Sequence, residues 1–177
     1  MKKTVIIFCS LLLTLGAIAQ DNGSYVTNGK GMWIGGAVGF GSKADHDGDY
    51  TFAPSWGMMF KDNMGFGASL NFTGGNNISY VAFSPYFRYY KPVTQNFSFY
   101  GDGYIRIGSY DYDTSDDFDG ASTFDFGARL GLQYWFSPRW SVAASTNVLQ
   151  YNSVEGDGEF GLGLDFRSVN FALLFHF

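Results

Sequence analysis

Apolar side chains recur at every second position along runs of about ten residues, and this period of two limits the chain to extended structure. Between residues 64 and 73, Met64, Phe66, Ala68, Leu70 and Phe72 share one parity, and Gly65, Gly67, Ser69, Asn71 and Thr73 share the other. Between 50 and 60, Tyr50, Phe52, Pro54, Trp56, Met58 and Phe60 alternate with Thr51, Ala53, Ser55, Gly57 and Met59. A pleated strand sends successive side chains to opposite faces, so each run predicts a strand with one apolar face and one small or polar face.

The pattern also predicts strands over 32–41, 80–90, 97–110, 122–136 and 140–151, and a last one that ends Val169, Phe171, Leu173, Phe175, Phe177. One element is irregular. Phe160, Leu162, Leu164 and Phe166 sit on even positions, whereas the terminal run sits on odd ones. A one-residue bulge near Arg167-Ser168 inside a single long arm explains the change, because a bulge inverts parity; two separate strands are the alternative. With one arm the count is eight. The fold expected is all-β, an eight-stranded antiparallel up-and-down transmembrane β-barrel, since an even count and complete backbone pairing are what a membrane-spanning sheet needs. In a soluble sandwich or lipocalin-like barrel the second face would carry many Lys and Glu. Here it is mostly Gly, Ser, Thr, Asn and Tyr, which suits an enclosed lumen.

Residues 1–19 read as a cleaved signal peptide, and 20–177 as the barrel domain. Lys2 and Lys3 form a basic start, Val5 to Leu15 an apolar stretch, and Ala17-Ile18-Ala19 a small-residue cleavage pattern. The apolar stretch is shorter than the roughly 20 residues a spanning helix requires. Cleavage would leave Gln20 first and remove Cys9, the single cysteine, so that disulfides, thiol nucleophiles and cysteine-held metals are excluded from the mature chain. Without Lys2 and Lys3, nine basic residues face sixteen acidic ones, a balance opposed to nucleic-acid binding through phosphates.

Short and long connections alternate. Lys61 to Asn63, Lys91 to Asn96 and Ser137 to Arg139 are tight; 42–49, 73–79, 111–121 and 152–158 are longer and hold most of the acids. Outer-membrane barrels keep short turns in the periplasm and longer loops outside. In those loops Asp45, Asp47, Asp49, Asp111 and Asp113 suggest weak divalent-cation binding, bridging to lipopolysaccharide phosphates. The glycine and terminal glutamate of a calcium loop are missing, so solvated loops are favoured, and no metal or cofactor site is assigned. Aromatic residues near the strand ends, Tyr89 and Trp140 among them, fit interfacial girdles.

These stretches, Lys30 to Gly41 (KGMWIGGAVGFG), Lys61 to Ser69 (KDNMGFGAS), Ser84 to Tyr90 (SPYFRYY) and the terminal Phe177, resemble the small outer-membrane β-barrel family of the OmpX/OmpA-transmembrane type, in the version common in Bacteroidetes. The resemblance covers essentially all of 20–177. It implies residence in the bacterial outer membrane, contact with its lipid and lipopolysaccharide, and an assembly signal in Phe171, Leu173, Phe175 and Phe177 read by the barrel-assembly machinery. It carries over no catalytic or ligand-binding residue.

The polar parity of three strands holds five charges: Arg88, Asp102 and Arg106, then Asp125 and Arg129. Facing residues of an antiparallel pair have a constant sum of numbers. One register therefore aligns Asp102 with Arg129 and Arg106 with Asp125, and Arg88 is expected to join near Asp102. Two uses are open, an ion path and a polar plug. The plug is favoured, because an eight-stranded interior is just wide enough for side chains to fill. A lipid-modifying enzyme is the third reading; His46, in an outer loop, and His176, facing the lumen, are the two histidines, and neither sits in a recognisable nucleophile motif. The expected role is thus non-enzymatic: envelope structure, surface interaction with a protein partner, or a subunit of a larger complex, with a narrow channel as the alternative.

Overall fold

A computed structural model describes residues 31–43, 46–75, 78–112, 120–154, 157–164 and 169–177. The expected signal peptide lies outside them. The described residues form nine strands: β1 (Met32–Lys43), β2 (His46–Lys61), β3 (Met64–Gly75), β4 (Ile78–Pro92), β5 (Phe97–Tyr112), β6 (Gly120–Ser137), β7 (Trp140–Val154), β8 (Asp157–Leu162) and β9 (Asn170–His176). Every pairing is antiparallel and between neighbours, and β9 returns to β1, so the sheet closes into a barrel. The last residue fastens the closure: Met32 N donates to Phe177 O at 2.8 Å, and Phe177 N donates to Met32 O at 3.0 Å. Stepping across partners from Trp33 near the short turns leads through Gly57, Gly67, Tyr86, Tyr104, Gly127 and Gln150 to Gly161 at the opposite end. The strands are therefore strongly tilted, as closure of a sheet demands.

The eighth stave is made of two strands. β8 pairs with the far half of β7 (Leu149↔Leu162) and β9 with its near half (Ser145↔Asn170). Between these two pairings the chain counts seven residues on this side, 163–169, and three on β7, 146–148. The expected single arm with a one-residue bulge is thus corrected to two separately paired strands; the Arg167-Ser168 pair itself lies outside the described residues. The outward parity of this stave is even in β8 and odd in β9, so it changes between Leu162 and Asn170; β7 has a bulge of its own at that level, where Ala128 faces Leu149 but Arg129 faces Asn147 and Val148 is the extra residue. Two segments share one stave, and the barrel stays eight-walled.

Strands also run further than the alternation indicated. β1 reaches Lys43 and β2 starts at His46; β5 reaches Tyr112 and β7 reaches Val154. Crossing a bilayer takes about 9–11 residues of a tilted strand. β2, β4, β5, β6 and β7 have 15 to 18. Backbone pairing continues into segments whose polar composition reads as loop, because hairpin hydrogen bonds need no apolar face.

The apolar parity faces outward around the wall. Ile34, Phe52, Trp56, Leu70, Phe83, Ile107, Leu130 and Phe171 are 46–58% exposed, an arrangement stable in hydrocarbon and unstable in water.

Candidate functional site

The other parity fills the interior, and it divides the lumen into two regions. At the short-turn end Trp33, Met59, Tyr90, Tyr100, Trp135 and Leu174 form a continuous buried cluster. Glycines make room for its rings. A Cβ on Gly57 would collide with the indole of Trp33, one on Gly67 would sit 2.7 Å from the Tyr86 ring, and one on Gly131 would collide with the Tyr100 ring. Each of these glycines is the direct cross-strand partner of the aromatic residue it accommodates. Trp33 Nε1 donates to Tyr86 OH at 3.2 Å, so the indole is packed and its polar edge satisfied.

Polar side chains cross this packing in one chain of contacts. Arg88 grips Asp102 with both ends, Nε to Oδ1 at 2.7 Å and Nη2 to Oδ2 at 2.9 Å, and lies 3.9 Å over the Tyr100 ring. Its remaining nitrogen, Nη1, donates to Tyr90 OH at 3.4 Å; Tyr90 donates to Gln133 Oε1 at 3.1 Å, and Gln133 Nε2 donates to Ser141 Oγ at 2.8 Å. The same serine oxygen lies 2.8 Å from His176 Nε2, a hydrogen bond whose direction is set by the imidazole tautomer. Strands β4, β5, β6, β7 and β9 are tied together through side chains alone. A bidentate, fully buried ion pair of this kind resists opening, because removing one partner strands the other charge.

The register sets Asp102 opposite Arg129 and Arg106 opposite Asp125. The contacts are uneven. Both Asp102 oxygens are taken by Arg88, and Arg129 Nη2 approaches Oδ2 only to 3.5 Å. Arg106 Nη1 is 3.6 Å from Asp125 Oδ2. Arg88 thus holds the central place in the cluster, and the two pairs aligned by register are looser.

Towards the long-loop end the packing stops. A cavity of about 220 Å³ is bounded on one side by Arg88, Arg106 and Arg129 with Tyr80, Tyr86 and Tyr100, and on the other by small residues of β1–β3, including Ala53, Ser55 and Ser69. Large side chains on β4–β6 and small ones on β1–β3 leave this space between them.

Of the other expected residues, Phe171, Leu173 and Phe177 are exposed on the outer face of the closing strand, and Phe175 packs on Trp140 with ring centroids 5.0 Å apart. Asp111 is exposed at the end of β5. Asp45 and Asp113 lie outside the described residues; Asp47, Asp49 and His46 lie in β2 and their side chains are not described. The chain from Tyr90 to Ser141 was not anticipated from sequence, although the parity of Gln133 and His176 pointed inward and the tight turn at Pro138 fixes Ser141 beside Trp135.

The whole described chain can be set beside known proteins. A family model described as outer membrane protein beta-barrel domain matches residues 7–177. Among solved structures, the N-terminal β-barrel domain of Pseudomonas aeruginosa OprF aligns with TM-score 0.59 and 16% identity, over 83% of this chain and 97% of that one. Neisserial surface protein A aligns with TM-score 0.56 and 11% identity, over 84% and 94%. Ail, the attachment invasion locus protein of Yersinia pestis, aligns with TM-score 0.53 and 16% identity, over 85% and 100%. No curated protein matches in sequence. Those structural likenesses show the fold, and the family match covers nearly the full length: the chain belongs to the outer membrane protein beta-barrel domain family and is a β-barrel of the bacterial outer membrane.

Proposed function

We propose that this protein is a non-enzymatic, plugged barrel that serves the envelope as a rigid surface-presenting body, either alone or as a subunit of a larger outer-membrane complex. The observation that carries this reading is the packed short-turn half of the lumen. Trp33, Trp135, Tyr90 and Tyr100 are each no more than 4% exposed, and the Arg88–Asp102 grip crosses between them. A path for ions through that layer would require several aromatic rings and a buried ion pair to move together. The far ends of β5, β6 and β7 run well past the length a bilayer needs, so hairpins with acidic tips would stand above the outer leaflet and meet a protein partner or lipopolysaccharide.

Absence of catalysis is part of the proposal. Ser141 and His176 are 2.8 Å apart, but Ser141 is fully buried and its second partner is Gln133, which suits a structural tie better than a nucleophile. Residues 1–19 act in this reading as a removable export signal, and Phe171, Leu173, Phe175 and Phe177 as the mark for barrel assembly. Planar-bilayer recordings of the purified protein test the plug: electrical silence is expected, and reproducible single-channel steps would replace it with the narrow-channel reading.

A further inference from the structure

The cavity above the plug is chemically one-sided. Three guanidinium groups border it, and among the described residues no carboxylate does. The two lumen acids sit behind the arginines. Asp102 is consumed by Arg88, and Asp125 Oδ2 is 3.6 Å from Arg106. Donor capacity is left over: Arg106 Nε and Arg129 Nε are buried and have no hydrogen-bond partner in the protein. Both guanidinium carbons also lie over the ring of Tyr104, at 5.3 and 4.9 Å, so two positive charges share one ring at the cavity edge. On the cavity wall, Asn147 Oδ1 is an unpartnered acceptor, which suits a ligand hydroxyl. Across the gap, Thr51, Ser55, Ser69 and Asn71 offer neutral hydroxyl and amide donors.

Paired arginines that border the space and keep an unpartnered Nε–H behind it, with hydroxyls on the opposite wall, match an oxyanion: a compact negative group with several acceptor oxygens. We infer that the outer half of the lumen is a binding site for a small oxyanion, a phosphate or carboxylate group carried by a small solute, with Arg106 and Arg129 as its charged contacts. Arg88 lines the floor but is already committed to Asp102. The site is independent of whether the lumen conducts, because it lies above the plug.

The Nε–H signals of arginine, observed by NMR on the ¹⁵N-labelled barrel in detergent micelles, test the assignment. Sodium phosphate and sodium acetate are titrated separately at constant ionic strength. Saturable shifts of the Arg106 and Arg129 signals, with Arg88 unmoved, are expected; stronger binding of phosphate identifies a phosphoryl group, and stronger binding of acetate a carboxylate. Arg106→Gln and Arg129→Gln should each weaken binding roughly tenfold, the loss of one charged hydrogen-bonding partner. Lys61→Gln, in a turn at the other end, should leave it unchanged. Ala53→Leu fills the cavity from the neutral wall without touching an arginine, and should abolish the shifts while the barrel keeps its folded gel mobility. The inference is overturned if the shifts rise linearly and equally for both salts, if Arg88 moves as far as Arg106, or if folded Ala53→Leu binds as the parent does.

Discussion

The two halves of one lumen are built on opposite principles, though the same strands supply both. Near the short turns, β1–β3 contribute Trp33 and Met59 together with glycines that receive rings from next door, and the interior is solid. A few residues further along, the same three strands contribute Ala37, Ala53, Ser55, Ser69 and Asn71, and a cavity separates them from Arg106 and Arg129. Closure of the barrel therefore does not dictate a filled core. The residue sizes at inward positions decide it, level by level, and the charges divide accordingly into one tight grip below and two loose pairs above.

The largest expected effect comes from breaking the tight grip. Arg88→Ala removes the bidentate partner of Asp102 and leaves that carboxylate nearly fully buried against Arg129 at 3.5 Å. Loss of one member of a buried pair costs about 3–5 kcal/mol. Urea unfolding of the barrel in lipid vesicles should reveal that loss, and a change under 1 kcal/mol (roughly the worth of an exposed pair) would put the lower network in the same class as the upper one.

Overpacking comes next. Gly131→Ala places a methyl group into the Tyr100 ring, which is held under Arg88. A cost of about 1–3 kcal/mol is expected in the same unfolding measurement. A neutral result would mean that the aromatic layer yields, and the contrast between the two halves would lose its basis.

How much of this was legible beforehand follows from what the sequence must encode locally. The outward face was legible, since hydrocarbon demands an apolar residue at every other position and each strand carries that demand by itself. The β5–β6 register was legible because two oppositely charged residues four apart on each strand admit a single alignment that pairs them. Arg88 was expected near Asp102, but its dominance was not, because that depends on side-chain reach and not on register. The divided eighth stave was hidden for a related reason. A parity change says that the step between two outward-facing runs is odd, and it does not say whether one residue bulges or a longer excursion divides the strand; here seven residues, 163–169, lie between the paired ends of β8 and β9. The cavity was hidden as well, since it is a sum of volumes over strands distant in sequence.

A smaller effect is expected from the upper pair. Arg106→Gln removes a partner that stands 3.6 Å from Asp125, with the arginine side chain 19% exposed against 8% for Arg88. Looser geometry and a neighbouring cavity reduce the electrostatic loss, so about 1 kcal/mol is expected, near the upper limit for solvated pairs. A cost equal to that of Arg88→Ala would show that both halves rely on ion pairing alike.

The smallest effect tests the comparison most sharply, because it uses one strand and one face. Gly57 and Ser55 are two residues apart on β2 and both point inward. At Gly57 an added Cβ meets the indole of Trp33, whereas Ser55 borders open space. Ser55→Val enlarges the side chain in the cavity and is expected to change stability by no more than about 0.5 kcal/mol, as for a substitution that neither clashes nor strands a partner. Gly57→Ala, although the added group is smaller, should cost about 1–3 kcal/mol by overpacking. If the two variants unfold alike, the boundary between plug and cavity does not lie between these two positions, and the packed region extends further up the barrel than the side chains of β2 indicate.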